Sequence, residues 1–244
     1  MSLVIHTIVR GGIVVSADTR ITCKDTKGNT RYDDTAEKIV PFPNRIVVTY
    51  TGDSMVNDNL SVTDFLIELR KECGKKVTIT DLPIKLLNKY LSKCGNKVTK
   101  TCFRVSGYDE LCILGCRTYS VNSEDKTITL LRQPFNYGAN FGGTTDVAFA
   151  MMNIADYSTM SLKEAIDLTE STLSSNITVY KYASSQIIGG EVKTYVIDTA
   201  NDVSGWLING RIISDINAPD DGITQYQEQQ TKKLIQQLNK QKNK

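Results

Sequence analysis

Ser2-Leu3-Val4-Ile5-His6-Thr7-Ile8-Val9-Arg10-Gly11-Gly12-Ile13-Val14-Val15-Ser16-Ala17-Asp18-Thr19-Arg20 opens the chain. It reads as two β-branched runs folded back on each other at Arg10-Gly11-Gly12, which sets the start of the chain beside Asp18. Ser2 follows Met1 directly, and a small second residue normally permits removal of the initiator methionine. The mature chain is then expected to begin with a serine that carries a free α-amine. Such an amine titrates near 7.7–8.0, so around neutral pH it can accept the proton of a hydroxyl on its own residue. One residue would supply both nucleophile and base. The plain alternative is an ordinary N-terminal hairpin with no catalytic part.

The rest of the composition narrows the choices. The chain has 244 residues, 40% of them hydrophobic and 23% charged, which suits one globular domain with a large core. A single domain is expected over residues 1–222, followed by a Gln/Lys-rich tail over 223–244 that reads as a helix continuing past the domain, a solvated tail or a docking segment. The net charge is +2 and the basic residues are scattered outside that tail, so nucleic acid is not expected as a partner. No apolar run reaches membrane-spanning length and no signal peptide is visible, so no membrane is expected and a cytoplasmic location is.

Six cysteines occur without paired CxxC spacing, and only one histidine, His6, is present. Reduced, packed thiols are the expected reading, including for Cys112 and Cys116, which would share one face of a buried strand. Neither a metal nor a cofactor is required. His6 lies in the middle of the first strand, where a packing role is expected rather than that of a catalytic base.

Further along, Thr22 to Asp34 is polar and reads as an exposed loop. A second hairpin is expected over Lys38 to Thr51, turning at Pro43-Asn44. Helices follow over about Asp53 to Glu72 and from Thr80-Asp81-Leu82-Pro83 to Cys94. Strands return at Thr101 to Ser106, Leu111 to Tyr119 and Lys126 to Leu131. Gly142-Gly143 opens a third helix, Val147 to about Asp156, and Ser161-Leu162-Lys163-Glu164 is a capping box for a fourth. Val192 to Asp198 and Gly205 to Ile208 are the last strands. Strands, two helices, strands, two helices and strands fit an α+β fold of two antiparallel sheets packed face to face with a helix pair on each outer face, a four-layer αββα sandwich.

Several of these segments, in their order, resemble the proteasome β subunit and its bacterial relatives in the N-terminal nucleophile hydrolase superfamily. They are Gly12-Ile13-Val14-Val15-Ser16-Ala17-Asp18-Thr19-Arg20, Ala36-Glu37-Lys38-Ile39, Tyr50-Thr51-Gly52-Asp53-Ser54 and Gly189-Gly190-Glu191-Val192 before Tyr195-Val196-Ile197. The family's spacings recur: sixteen positions separate Ser2 from Asp18, and fourteen separate Lys38 from Gly52. The resemblance implies Ser2 as nucleophile, its α-amine as proton acceptor, Lys38 as the cation that keeps the hydroxyl reactive, Asp18 as its partner and Gly52 as backbone donor to the oxyanion. Ile21, Thr22 and Tyr50 would line the specificity pocket.

The implied activity is peptide-bond hydrolysis through an acyl-enzyme, on peptides or unfolded proteins, in a homo-oligomeric ring or open spiral, with an ATPase as a possible partner. A catalytically silent ring subunit is the alternative, and a small-molecule amidase of the same superfamily a further one. The departures concern support for the nucleophile. Ser2-Leu3 stands where the family usually has Thr-Thr, Phe141-Gly142-Gly143 replaces a Gly-Ser-Gly turn, and the family's Asp and Ser before the last Gly-Gly fall near Ser185 and Ile188. Only Met1 precedes Ser2, which fits the bacterial relatives better than most proteasome β subunits.

Overall fold

The computed structural model describes residues 2–24, 29–95, 99–109, 112–183 and 186–214. Strands β1 (Leu3–Val9) and β2 (Gly12–Asp18) form the opening hairpin and are buried along their whole length. The unbroken burial has a physical reason: β1 sends Leu3 and Ile5 to a helix pair and Val4 and Ile8 toward the second sheet. Thr22 to Asp34 departs from the loop expectation. The chain there forms β3 (Ile21–Lys24) and β4 (Thr30–Asp33), an exposed two-stranded hairpin with Ile21 opposite Asp33. Its polar composition reflects exposure and not lack of strand structure.

The second hairpin, β5 (Ile39–Phe42) and β6 (Ile46–Gly52), turns through Asn44 and Arg45, both left-handed at φ 62° and 54°. Two consecutive left-handed residues match the right-handed twist of the flanking strands. A helix was expected from Asp53, yet the chain first makes β7 (Met55–Asn57) and β8 (Leu60–Ser61) and only then α1 (Val62–Cys73). Asn57 Oδ1 takes the Asn59 N–H at 3.0 Å, closing a local turn, and Ser61 Oγ takes the Asp64 N–H at 3.0 Å, capping the helix. Short polar side chains thus moved the helix start by about two turns. Helix α2 (Leu82–Cys94) has Pro83 in its first turn and Gly95 after its end, as expected.

Strands β9 (Thr101–Asp109), β10 (Cys112–Asn122) and β11 (Thr127–Arg132) precede β12 (Gly138–Gly143), which the sequence reading does not anticipate. Helices α3 (Asp146–Met152) and α4 (Leu162–Tyr182) follow, the latter with the complete Ser161/Glu164 capping box. Strands β13 (Val192–Asp198), β14 (Val203–Ile208) and β15 (Arg211–Ser214) end the described chain. The tail over 223–244 lies outside the described residues.

Two antiparallel sheets result, ordered β12-β1-β2-β13-β14-β15 and β11-β10-β9-β6-β5. Apolar residues of α1 and α2, among them Phe65, Leu66, Leu86 and Tyr90, pack with Val48, Phe103 and Val105 of the five-stranded sheet. Residues of α3 and α4, including Ala148, Met152 and Leu173, pack with Leu3 and Ile5 of the six-stranded sheet. A third cluster joins strands of both sheets through Val4, Ile8, Val15, Val47, Tyr108 and Tyr195. The fold is mixed α/β, with the start of β1 held centrally between these clusters.

His6 is a packing residue, as its place in the strand implied. It is fully buried, with Nδ1 2.7 Å from Ser106 Oγ and Nε2 2.8 Å from Thr49 Oγ1, and so bridges the two sheets. Burial, with Arg104 nearby, pushes its pKa down to about 3, so the imidazole is neutral. Cys116 is a buried thiol, its pKa pushed up to about 12 by burial. The side chain of Cys112 lies outside the described residues.

Candidate active site

Ser2 is fixed on both sides by main-chain bonds. Its carbonyl accepts the Thr144 N–H at 2.9 Å, and the following N–H, of Leu3, donates to Asp18 Oδ1 at 2.9 Å. Pairing of β1 with β12 places Gly143 opposite Leu3. Gly143 has φ +90°, and a Cβ there would fall 1.7 Å from the Ser2 carbonyl oxygen. Gly143, the last residue of the stretch that stands for the family's Gly-Ser-Gly turn, is therefore required as a glycine by the approach of Ser2 itself. Ser2 is 6% exposed.

Asp18 ends β2 and Lys38 immediately precedes β5, and both are buried. Lys38 Nζ donates to Asp18 Oδ1 at 2.8 Å and to the Arg20 carbonyl at 2.6 Å. Asp18 Oδ2 accepts the Gly189 N–H at 3.2 Å. The carboxylate is thus met by one ammonium and two backbone donors, enough to hold a charge away from water. Burial lowers the Lys38 pKa from its ordinary value, while the Asp18 carboxylate opposes that fall.

Gly52 closes β6 at φ +96°, and a Cβ there would lie 1.8 Å from the Lys100 carbonyl oxygen. The need for glycine here comes from Lys100 and the backbone angle. The neighbouring Asp53 is tied to the same strand end: its N–H donates to Lys100 O at 3.2 Å and its Oδ2 accepts the Lys100 N–H at 2.8 Å.

A cavity of about 110 Å³ is lined by Ser2, Ile21, Thr22, Lys38, Tyr50, Gly52, Asp53 and Ser54. Residues remote in sequence, from the approaches to β1 and β5, from β3 and from the end of β6, thus share one wall. Asp18 stands behind Lys38 as its partner. The Tyr50 hydroxyl is bonded away to Thr63 Oγ1 at 3.0 Å, and burial raises its pKa, so Tyr50 is part of the wall and not an acid or base. Thr22 Oγ1 is buried at the cavity without a hydrogen-bond partner among the described residues.

Sequence reasoning named Asp18, Lys38, Gly52 and the three wall residues but missed the supports Thr144, Asp53, Ser54 and the Gly189 donor. Gly142-Gly143 and Gly189-Gly190, two of the three Gly-Gly pairs, were the available signal, since both lie against the site. Ile188, near which the family has a serine, is fully buried in the apolar cluster with Leu3 and Ile5; Ser185 lies outside the described residues. A larger, open cleft of about 480 Å³ between the β11–β12 link and the α3–α4 link, lined by Phe135, Tyr137 and Tyr157, contains none of these groups. Among the described residues, no helix is long and apolar enough to cross a membrane.

No protein-family profile and no curated protein match the sequence. Solved structures do. The chain is similar to the Anbu Gly-1 mutant from Hyphomicrobium sp. strain MC1, at 14% identity and a TM-score of 0.63 over 98% of this chain and 97% of that one. It is also similar to Anbu in the helical assembly of the Anbu complex from Pseudomonas aeruginosa, at 13% identity and a TM-score of 0.64 over 98% and 96% of the two chains. The likeness, over nearly the full length of both chains, is one of fold, and the fold is proteasome-related.

Proposed function

We infer that this chain is an N-terminal-serine peptidase of proteasome type, its strands and helices stacked as a four-layer αββα sandwich, working as a homo-oligomeric ring or open spiral on peptides or unfolded proteins. The observation that carries the reading is the shared cavity of Ser2, Lys38 and Gly52, backed by the buried Asp18–Lys38 pair.

In the proposed reaction, removal of Met1 frees the Ser2 α-amine. The amine takes the Ser2 hydroxyl proton as Oγ attacks the scissile carbonyl carbon. Lys38 stays protonated and lowers the cost of negative charge on Oγ, with its ammonium aimed by Asp18 and the Arg20 carbonyl. Gly52 N–H receives the oxyanion; one such donor is worth about 3 kcal/mol. Collapse breaks the C–N bond, the α-amine returns the proton to the leaving amine, and water attacks the acyl-Ser2 ester in a second, equivalent cycle. Ile21, Thr22 and Tyr50 shape a pocket that accepts one modest side chain, and Thr22 Oγ1 is available to a substrate amide.

The altered surroundings of the nucleophile favour a second reading, a ring subunit that keeps the fold without turnover: Ile188 offers no hydroxyl and Gly142, at the place of the turn's serine, no side chain. Intact-protein mass together with labelling by a peptide epoxyketone, on wild type and Ser2→Ala, separates the two. Loss of Met1 and one adduct per chain, absent in Ser2→Ala, supports the peptidase. Retained Met1, or processed protein without adduct, leaves the silent subunit.

A further inference from the structure

Arg20 stands where three segments of the site meet. Its carbonyl is an acceptor for Lys38 Nζ, while its guanidinium makes a bidentate bond to Asp34, Nε to Oδ1 at 2.6 Å and Nη2 to Oδ2 at 2.7 Å. Nη1 donates to the Gln186 carbonyl at 3.2 Å, and the guanidinium carbon lies 4.7 Å from the centre of the Tyr32 ring. The guanidinium also lies against Gly189, where a Cβ would approach within 2.4 Å of it; Gly189 is the residue whose N–H holds Asp18. Tyr32 and Asp34 belong to the β3–β4 hairpin and its exit, the segment that also brings Ile21 and Thr22 to the cavity.

A planar fork bound at both prongs has one allowed orientation. The Arg20 side chain is thus held at Asp34, at Gln186 and over Gly189, and the carbonyl of the same residue is one of the two acceptors that aim Lys38. We propose that the Arg20–Asp34 clasp is a positioning device of the active site, through which the β3–β4 hairpin sets the Lys38 ammonium against Ser2. The inference rests on the peptidase reading and adds to it a residue, Asp34, that touches no reacting atom. A substrate that shifts the hairpin would act on Lys38 through the same bonds.

The charged groups around Lys38 are few. Asp18 faces it from β2, Arg20 from the β2–β3 link and Asp34 from the end of the β3–β4 hairpin; Asp18 and Asp34 favour its charged form and Arg20 opposes it. Glu37 is engaged by Lys193 of β13 at 3.3 Å, and the Asp53 carboxylate by the Lys100 N–H.

The test compares full-length wild type, Asp34→Asn and Asp34→Glu by two readouts. The first is the pH titration of Lys38, followed by NMR of protein carrying 13Cε-labelled lysine and assigned with Lys38→Arg. The second is the rate of epoxyketone adduct formation at Ser2. With the clasp as a positioning device, Lys38 loses its proton at lower pH in Asp34→Asn, adduct formation slows by roughly tenfold or more with its alkaline limb moved the same way, and Asp34→Glu recovers most of both. An unchanged Lys38 titration, or an unchanged adduct rate in a protein that labels, overturns the proposal, whatever happens to thermal stability. A wild type that takes no adduct overturns the peptidase reading instead, and the NMR titration alone then decides the clasp.

Discussion

Lys38 and Asp18 show how one pair of residues serves both stability and chemistry. Removing the ammonium leaves a fully buried carboxylate with only two backbone donors, so Lys38→Met is expected to lose epoxyketone labelling and to cost roughly 3–5 kcal/mol in urea unfolding. A loss under about 1 kcal/mol would mean that Asp18 is reached by water. His6 makes a different prediction, because its folded pKa, about 3, lies below its ordinary 6.5. Between those values the unfolded chain binds a proton that the folded chain refuses, so stability falls as pH falls through that window, by up to about 1.4 kcal/mol per pH unit. His6→Asn should lose this share of the slope in urea titrations between pH 6.5 and 5, and parallel curves for the two proteins would contradict the neutral imidazole. Ser2, Asp18, Lys38 and Gly52 were named as candidates through the family resemblance, and the structure brings Ser2, Lys38 and Gly52 to one cavity with Asp18 behind Lys38. What Gly52 answers to was not legible, since Lys100 O stands just before β9, almost fifty residues on.

Among the elements, α4 is the one whose sequence signals and structure agree most closely. Ser161 Oγ accepts the Glu164 N–H at 3.2 Å and Glu164 Oε2 accepts the Ser161 N–H at 2.8 Å, so the capping box is closed in both directions. Ser161→Ala is expected to cost about 1 kcal/mol, read as a melting temperature lower by about 2–4 °C, with labelling of Ser2 unchanged. An unchanged melting temperature would show that packing of Ala165, Thr169 and Leu173 alone holds the first turns. Elsewhere the local signals misled in an instructive way. Met55, Leu60 and Phe65 recur near helical spacing, but the Asn57 turn and Ser61 cap claim the backbone first, and burial of Val56 comes from a strand. β12 carries three glycines and no β-branched residue in Gly138-Ala139-Asn140-Phe141-Gly142-Gly143, so propensity speaks against it; it is a strand because β1 offers a free edge to pair with.

On the scale of the whole molecule, the proposed ring or spiral sets how copies of the chain would associate. The expectation is a native mass by sedimentation velocity that is a multiple of 27.1 kDa, while a monomer at micromolar concentration would count against a ring or spiral. The alternation of strand groups and helix pairs and the buried β1–β2 hairpin were determined by the sequence alone, because they rest on periodicity, caps and turn residues, which act over short stretches of chain; the four candidate site residues were named through a family resemblance. The tertiary structure alone decided that β12 exists, that Ile21–Lys24 and Thr30–Asp33 pair as strands clasped to Arg20 through Asp34, and that Thr144, Gly143 and Gly189 hold Ser2 and Asp18 in place. Apart from the Arg20–Asp34 clasp and its hairpin, those contacts join segments more than a hundred residues apart, and a glycine in a sequence does not say which carbonyl or backbone donor approaches it.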